Sequence, residues 1–191
     1  MRTFHSCGFT IEILPGLPGD GDLPIYQFAR PQQPTHSEGF VIRVSRERKG
    51  WIGNFQYLRY RNGCNGVVAL STRAIAYVFS GDLGYRVPLD APNSFEILQA
   101  IPIRGFHYLR EQDWVVVWGF TKLAAYSPDG FEWETKRISW DGLQITEVRS
   151  DRLTGLAWDA VNGVEVEFSI DLRSGHHTGG PSNIPETLGR K

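Results

Sequence analysis

Between Val67 and Leu172, apolar and polar residues alternate with a period of two over most of the chain. The clearest passage reads Trp114-Val-Val-Val-Trp118, then Leu123-Ala-Ala-Tyr126, Ser127-Pro-Asp-Gly130 and Phe131-Glu-Trp-Glu-Thr135. A period of two sends successive side chains to opposite faces of an extended strand, and Ser-Pro-Asp-Gly is turn chemistry. The passage therefore predicts strand, turn, strand, tight turn, strand. No stretch of ten or more residues shows a sustained helical stripe. The 21 glycines and 11 prolines punctuate the chain too often for long helices.

The same reading extends along the chain. Phe9, Ile11 and Ile13 alternate with Thr10 and Glu12, which predicts a strand with one apolar face. Pro15 to Pro24 is too rich in proline and glycine for regular structure, Ile25 to Ala29 fits a short edge strand, and Pro31 to Ser37 is a loop. Residues 1–38 are accordingly expected to form an irregular arm over the main body. Phe40 to Val44 and Trp51 to Arg61 read as strands. A first group comprises Val67–Leu70, Ala74–Phe79 and Tyr85–Val87, and Pro92–Leu98 fits either one helical turn or a strand. A second group comprises Ile103–Leu109, Trp114–Trp118, Leu123–Tyr126 and Phe131–Lys136. A third comprises Leu143–Val148, Leu153–Trp158 and Val164–Leu172, with turn signals at Ser150-Asp151 and Val161-Asn-Gly163.

The groups recur at about 40 to 45 residues, the length of a four-stranded blade. On the passage Leu123-Ala-Ala-Tyr-Ser-Pro-Asp-Gly-Phe-Glu-Trp133, the segment from Val67 to Gly180 resembles the blade repeats of β-propellers, of the WD40-like or quinoprotein-like kind. The resemblance implies an all-β fold of propeller-like, antiparallel four-stranded blades. Closed propellers carry four to eight blades. Three units and an N-terminal quarter make at most four, so an incomplete or open arrangement is expected, with a β-sandwich or barrel as the alternative. The expected division is an arm over 1–38, an all-β body over 39–175 and a flexible tail over 176–191.

Composition narrows the function classes. The chain has 191 residues, 41% hydrophobic and 21% charged, which suits a globular domain with a real core. Its net charge of −1 gives no electrostatic push toward nucleic acid. It lacks an apolar run of about 18 residues, so no membrane span is expected. The N-terminal Met-Arg-Thr-Phe-His-Ser-Cys has no apolar core of a secretory signal. Two cysteines, Cys7 and Cys64, are too few for a disulfide framework, and the expectation is thiols in a reducing cytoplasm, with Cys7 buried in a strand.

Candidate chemistry is sparse. Glu132 and Glu134 flank Trp133 and should share a face opposite Phe131, Trp133 and Thr135. Paired carboxylates can serve acid and base roles, but Glu165 and Glu167 repeat the pattern, as expected of ordinary amphipathic strands. Asp141, between Trp140 and Gly142, reads as a turn residue whose side chain caps the turn. His176 and His177 are adjacent, with no further ligands at metal-site spacing, so neither a metal nor a cofactor is predicted. Arg43, Arg46, Arg48 and Lys49, with Arg59 and Arg61 beside Tyr57 and Tyr60, read as a solvated hairpin rather than a nucleic-acid surface. No nucleophile elbow, dinucleotide fingerprint or phosphate loop occurs. Most of the six tryptophans should be core. Trp114 and Trp118 share strand parity, and with Trp140 they are the candidate binding residues. The expected role is a non-catalytic binding or protein-interaction module, self-associating as a homodimer or masking a protein partner. The competing expectation is a hydrolase using Glu132, Glu134 or Asp141 with a histidine.

Overall fold

A computed structural model describes residues 2–19, 21–31, 39–58, 63–100 and 102–184. The chain is all-β. It forms strands β1 (Thr3–Ser6), β2 (Phe9–Leu14), β3 (Ile25–Phe28), β4 (Phe40–Arg46), β5 (Lys49–Phe55), β6 (Gly66–Ala69), β7 (Ile75–Ser80), β8 (Leu83–Pro88) and β9 (Glu96–Ile97). These continue as β10 (Gly105–Leu109), β11 (Trp114–Trp118), β12 (Leu123–Ser127), β13 (Gly130–Glu134), β14 (Leu143–Val148), β15 (Arg152–Asp159), β16 (Val164–Asp171) and β17 (His177–Gly179). A 3₁₀ turn at Pro92–Ser94 precedes β9, so this stretch holds both a helical turn and a short strand.

Three sheets are antiparallel four-stranded meanders in simple chain order, β6 to β9, β10 to β13 and β14 to β17, each the topology of a propeller-like blade. The fourth has five strands in the order β1-β2-β4-β5-β3, with β3 running parallel to β5. None of these sheets closes into a barrel. Two compact units result, Met1–Ile103 and Arg104–Lys191, each holding two of the sheets. This division differs from the expected boundaries at 38/39 and 175/176. Residues assigned to an arm supply β1, β2 and β3, and His177 to Gly179, assigned to a tail, pair as β17 with β16.

The N-terminal difference has a local cause. Register pairs Ser6 with Phe9, leaving Cys7 and Gly8 as a two-residue turn with φ of 46° and 83°. Both values are positive, as a type I′ hairpin requires. Cys7 is therefore an exposed turn residue and not a buried strand residue, and no disulfide joins it to Cys64. The turn lets Phe9 and Ile11 reach the core through β2, which pairs with β4.

In the first unit, Phe9, Ile11, Ile42, Val44, Trp51 and Phe55 of the five-stranded sheet pack with Val67, Ala76, Val78, Tyr85, Val87 and Leu89 of the next. In the second unit, Val116, Leu123, Ala125 and Trp133 pack with Leu153, Ala157, Phe168, Ile170 and Leu172. The same fastening appears in both. Trp51 on β5 donates its indole N–H to the Leu89 carbonyl at 3.0 Å, and Trp133 on β13 donates to the Leu172 carbonyl at 3.1 Å. Donor and acceptor are 38 residues apart in the first case and 39 in the second. Each leucine is held by its own sheet, since Leu89 N–H donates to Ala74 and Leu172 N–H to Asp151. Replacing Trp133 by Phe keeps most of the packing and orphans a buried carbonyl. Trp133→Phe is therefore expected to destabilise the second unit by about 1–2 kcal/mol, measured as a shifted urea midpoint.

Two turns of the second unit share one construction. The Asp159 carboxylate accepts the N–H groups of Val161 and Asn162 and the Asn162 side-chain amide, and Gly163 N–H closes onto the Asp159 carbonyl. The Asp171 carboxylate accepts the N–H groups of Arg173 and Ser174 and the Ser174 hydroxyl, and Gly175 N–H closes onto the Asp171 carbonyl. Gly163 and Gly175 adopt φ of 67° and 70°, the left-handed conformation glycine accepts without strain. The Asn162 amide, ahead of the backbone donors, holds Asp159 below the ordinary carboxylate pKa of 3.8, and the Ser174 hydroxyl and N–H do so for Asp171. A carboxyl depressed in the folded state stabilises it above the unfolded value, and that contribution disappears as pH falls through the folded value. Wild type should therefore be more stable than Asp171→Asn or Asp159→Asn near neutrality. The differences should close below about pH 4, as followed by urea midpoints from about pH 7 to about pH 2.5.

Candidate functional site

In the first unit the seam marked by the Trp51–Leu89 hydrogen bond opens into a cleft of about 440 Å³. Its floor is Phe9 from β2, Val44 from β4, Trp51 from β5 and Leu89 beyond β8. Its rim carries Arg46, Glu47, Lys49 and Asp90. The β4–β5 hairpin brings most of the rim together, because Arg46 pairs with Lys49 across a two-residue turn of Glu47 and Arg48. Glu47 sits at φ 54°, the positive φ that the first residue of a two-residue hairpin turn takes.

The floor is fixed by packing. Tyr26 meets Trp51 edge-on at 5.8 Å between centroids, and Phe28 stacks on Phe55 at 4.0 Å. Gly50 has no room for a side chain, since a Cβ there would lie 2.6 Å from the Val44 carbonyl. The Arg46 guanidinium rests 5.2 Å from the centre of the Phe9 ring. Such a contact holds a cation over an aromatic face while leaving its hydrogen-bond donors to solvent or a ligand. Among the described residues, none of the four rim charges forms an ion pair with another side chain. Two cations and two carboxylates therefore ring an aromatic floor with their charges uncommitted. The corresponding seam in the second unit is filled. A Cβ at Gly175 would stand 2.6 Å from the Trp133 ring, so the Gly175 backbone lies directly against the indole.

The sequence-predicted residues fall elsewhere. Trp114 and Trp118 do share a face of β11, and both pack, partly buried, against the core cluster around Val116. Trp118 covers Gly105, its cross-strand partner, where a Cβ would stand 2.2 Å from the indole. Trp140 is partly buried beside Arg137, whose guanidinium lies 5.9 Å from the ring and donates to the Trp140 carbonyl at 2.6 Å. Its indole nitrogen is buried without a partner among the described residues.

Glu132 and Glu134 are exposed, as expected, but Phe131 does not share the face of Trp133. Register pairs Ala125 with Trp133 and Tyr126 with Phe131, which leaves Glu132 as an extra, bulged residue. The bulge turns Phe131 outward to 60% exposure, edge-on to Tyr126. Glu134 pairs with Lys122 at 2.7 Å. Asp141 is exposed, and Ser139 rather than Asp141 fastens its turn, accepting the Trp158 N–H and donating to the Gly142 carbonyl. Among the described residues, no hydrogen bond or ion pair joins Glu132, Glu134 or Asp141 to a histidine. His36, Arg59, Tyr60 and Arg61 lie outside the described residues. Among the described residues no three of His, Cys, Asp and Glu gather as metal ligands, and no helix is long and apolar enough to cross a membrane.

Comparison with protein-family models, with curated proteins and with solved structures finds no match to this chain. The blade-like character of its sheets therefore rests on strand order and pairing.

Sequence reasoning missed the cleft, although it marked Arg46 and Lys49 as one end of a hairpin. The signal available was Trp51, the one tryptophan upstream of the repeats, two residues beyond Lys49. Trp118 is only partly buried. Trp118→Ala should therefore cost about 2–3 kcal/mol, below the roughly 3–5 kcal/mol of a fully buried indole, as read from chemical denaturation of the second unit.

Proposed function

We infer that the chain is a non-catalytic protein-interaction module and that the Phe9–Trp51–Leu89 cleft is its binding surface. One observation carries this reading: a concave aromatic floor ringed by uncommitted charges of both signs. Apolar concavities with a few convergent polar groups are the usual form of binding sites. Among the described residues, the cleft lining has no histidine, cysteine or serine beside its carboxylates. The complementary partner presents an aliphatic or aromatic side chain for the floor, flanked by one acidic and one basic group for the rim. A second copy of the chain or a masked protein partner meets that description.

The test is the double variant Arg46→Glu with Lys49→Glu. Both side chains lie on the rim, so the denaturation midpoint should stay within about 0.5 kcal/mol of wild type. Self-association is read by sedimentation velocity across a concentration series. Hetero-association is read by affinity capture from the source cells, followed by reconstitution with the purified partner. Binding should weaken about tenfold or more in the variant. A monomeric wild type with no reconstitutable partner, or equal binding by the variant, would reject the reading.

A further inference from the structure

In the second unit, one face of the β14–β17 sheet is committed to the core through Leu153, Ala157, Phe168 and Ile170. The opposite face carries a row of hydroxyl groups. Register pairs Thr154 with Ser169 and Ser169 with Thr178. A bulge between Ile145 and Glu147 adds Thr146, whose Oγ1 lies 3.4 Å from Thr154 Oγ1. The row thus crosses all four strands at the ladder spacing of about 4.8 Å. It lines a groove of about 650 Å³ whose other walls include Arg152, Leu156 and Glu167. The side chains of Arg152, Glu167, Ser169 and Thr178 have no hydrogen-bond or ion-pair partner among the described residues. Parity along β15 places Leu156 and Trp158 on the same face as Thr154, and Trp158 is 38% exposed opposite Glu165.

We propose that this face binds a neutral oligosaccharide, with the hydroxyl row, Glu167 and Arg152 meeting its hydroxyls and the Trp158 indole stacking on a sugar ring. The chemistry selects this class. A Ser or Thr hydroxyl both donates and accepts, which matches a ligand whose own groups do both. An anionic ligand would meet Glu165 and Glu167 on this face against Arg152, because the charge of Arg149 is spent on Glu147 at 3.0 Å. An apolar ligand would bury the hydroxyls without partners, a loss of hydrogen bonds that disfavours it. The negative face of an exposed indole attracts the weakly positive C–H groups of a pyranose ring. A ladder of like groups at one fixed spacing suits a polymer that repeats its own unit.

The experiment is an amide and indole NMR titration of the isotope-labelled full chain with cellohexaose, maltohexaose, xylohexaose, mannohexaose and chitohexaose. At least one should shift the amides of Thr154, Ser169 and Thr178 and the indole N–H of Trp158, with millimolar or tighter affinity. Trp158→Ala and the double variant Thr154→Val with Ser169→Ala change solvent-facing groups, so both should give folded spectra and bind about tenfold more weakly. No shift on this face with any of the sugars at millimolar concentration would overturn the proposal. So would shifts that persist unchanged in both folded variants.

Discussion

Each unit depends on an indole that faces its neighbouring sheet and must find a carbonyl there. Burying a tryptophan removes about 150–250 Å² from water, worth several kcal/mol at about 25 cal/mol per Å². The N–H···O bond adds only about 1 kcal/mol net. Burial therefore drives the two sheets together, and the bond decides how they align. A slipped alignment would strand the indole N–H and the leucine carbonyl in the core, at about 1–3 kcal/mol each. The acceptors cannot drift to follow the donor, because Leu89 and Leu172 are tied by their own N–H groups to Ala74 and Asp151. The near-equal separations of Trp51 from Leu89 and Trp133 from Leu172 make this one solution used twice.

Used twice, the seam has two surfaces. In the second unit the Asp171 turn delivers Gly175 onto the Trp133 ring, and both its φ of 70° and the lack of space for a Cβ require glycine. In the first unit the chain beyond Leu89 continues with a charged residue, Asp90, and Phe9 lines the open floor with Arg46 above its ring. A structural seam and a candidate binding surface thus differ in the residues just beyond the acceptor leucine. The fastening that orders the core also orders the cleft floor, so the floor needs no rearrangement to receive a ligand, and pre-organisation of this kind lowers the cost of binding.

The period-two pattern made the strands legible, because a half-buried strand writes its two faces directly into the sequence. The bounds of β11 and β14 match it residue for residue, and the three strand groups fall in three separate sheets, although β17, the fourth strand of the last sheet, lay in the expected tail. What escaped were places where register, not composition, sets the backbone. Cys7 is no turn former, yet the pairing of β1 with β2 forces it to positive φ. Glu132 alternates as a strand residue should, yet pairing with β12 squeezes it out as a bulge. Ile25–Phe28 is the edge strand that its pattern suggests, but its parallel pairing escaped because its partner, β5, lies more than twenty residues further along the chain, beyond β4. The cleft escaped for the same reason on a larger scale, since it joins residue 9, residues 44–51 and residues 89–90. Alternation names the core residues in each of those segments, but it carries no information about which two sheets will share a seam.

Binding and catalysis ask for different groups to converge. General acid–base chemistry needs a carboxylate within hydrogen-bond reach of its proton partner in a water-poor site. Glu132 and Asp141 stand in solvent, and Glu134 spends its charge on Lys122. The groups that do converge are Phe9, Trp51 and Leu89 beneath Arg46, Glu47, Lys49 and Asp90. An aromatic floor supplies affinity through desolvated area, whereas rim charges chiefly steer approach and reject mismatched partners. A rim of a single sign would attract any counter-charged surface and discriminate weakly. A rim with both signs fixes orientation, because a partner turned end for end would bring like charges together. Selective docking of one surface in one orientation is the demand this cleft is built to meet under the binding reading.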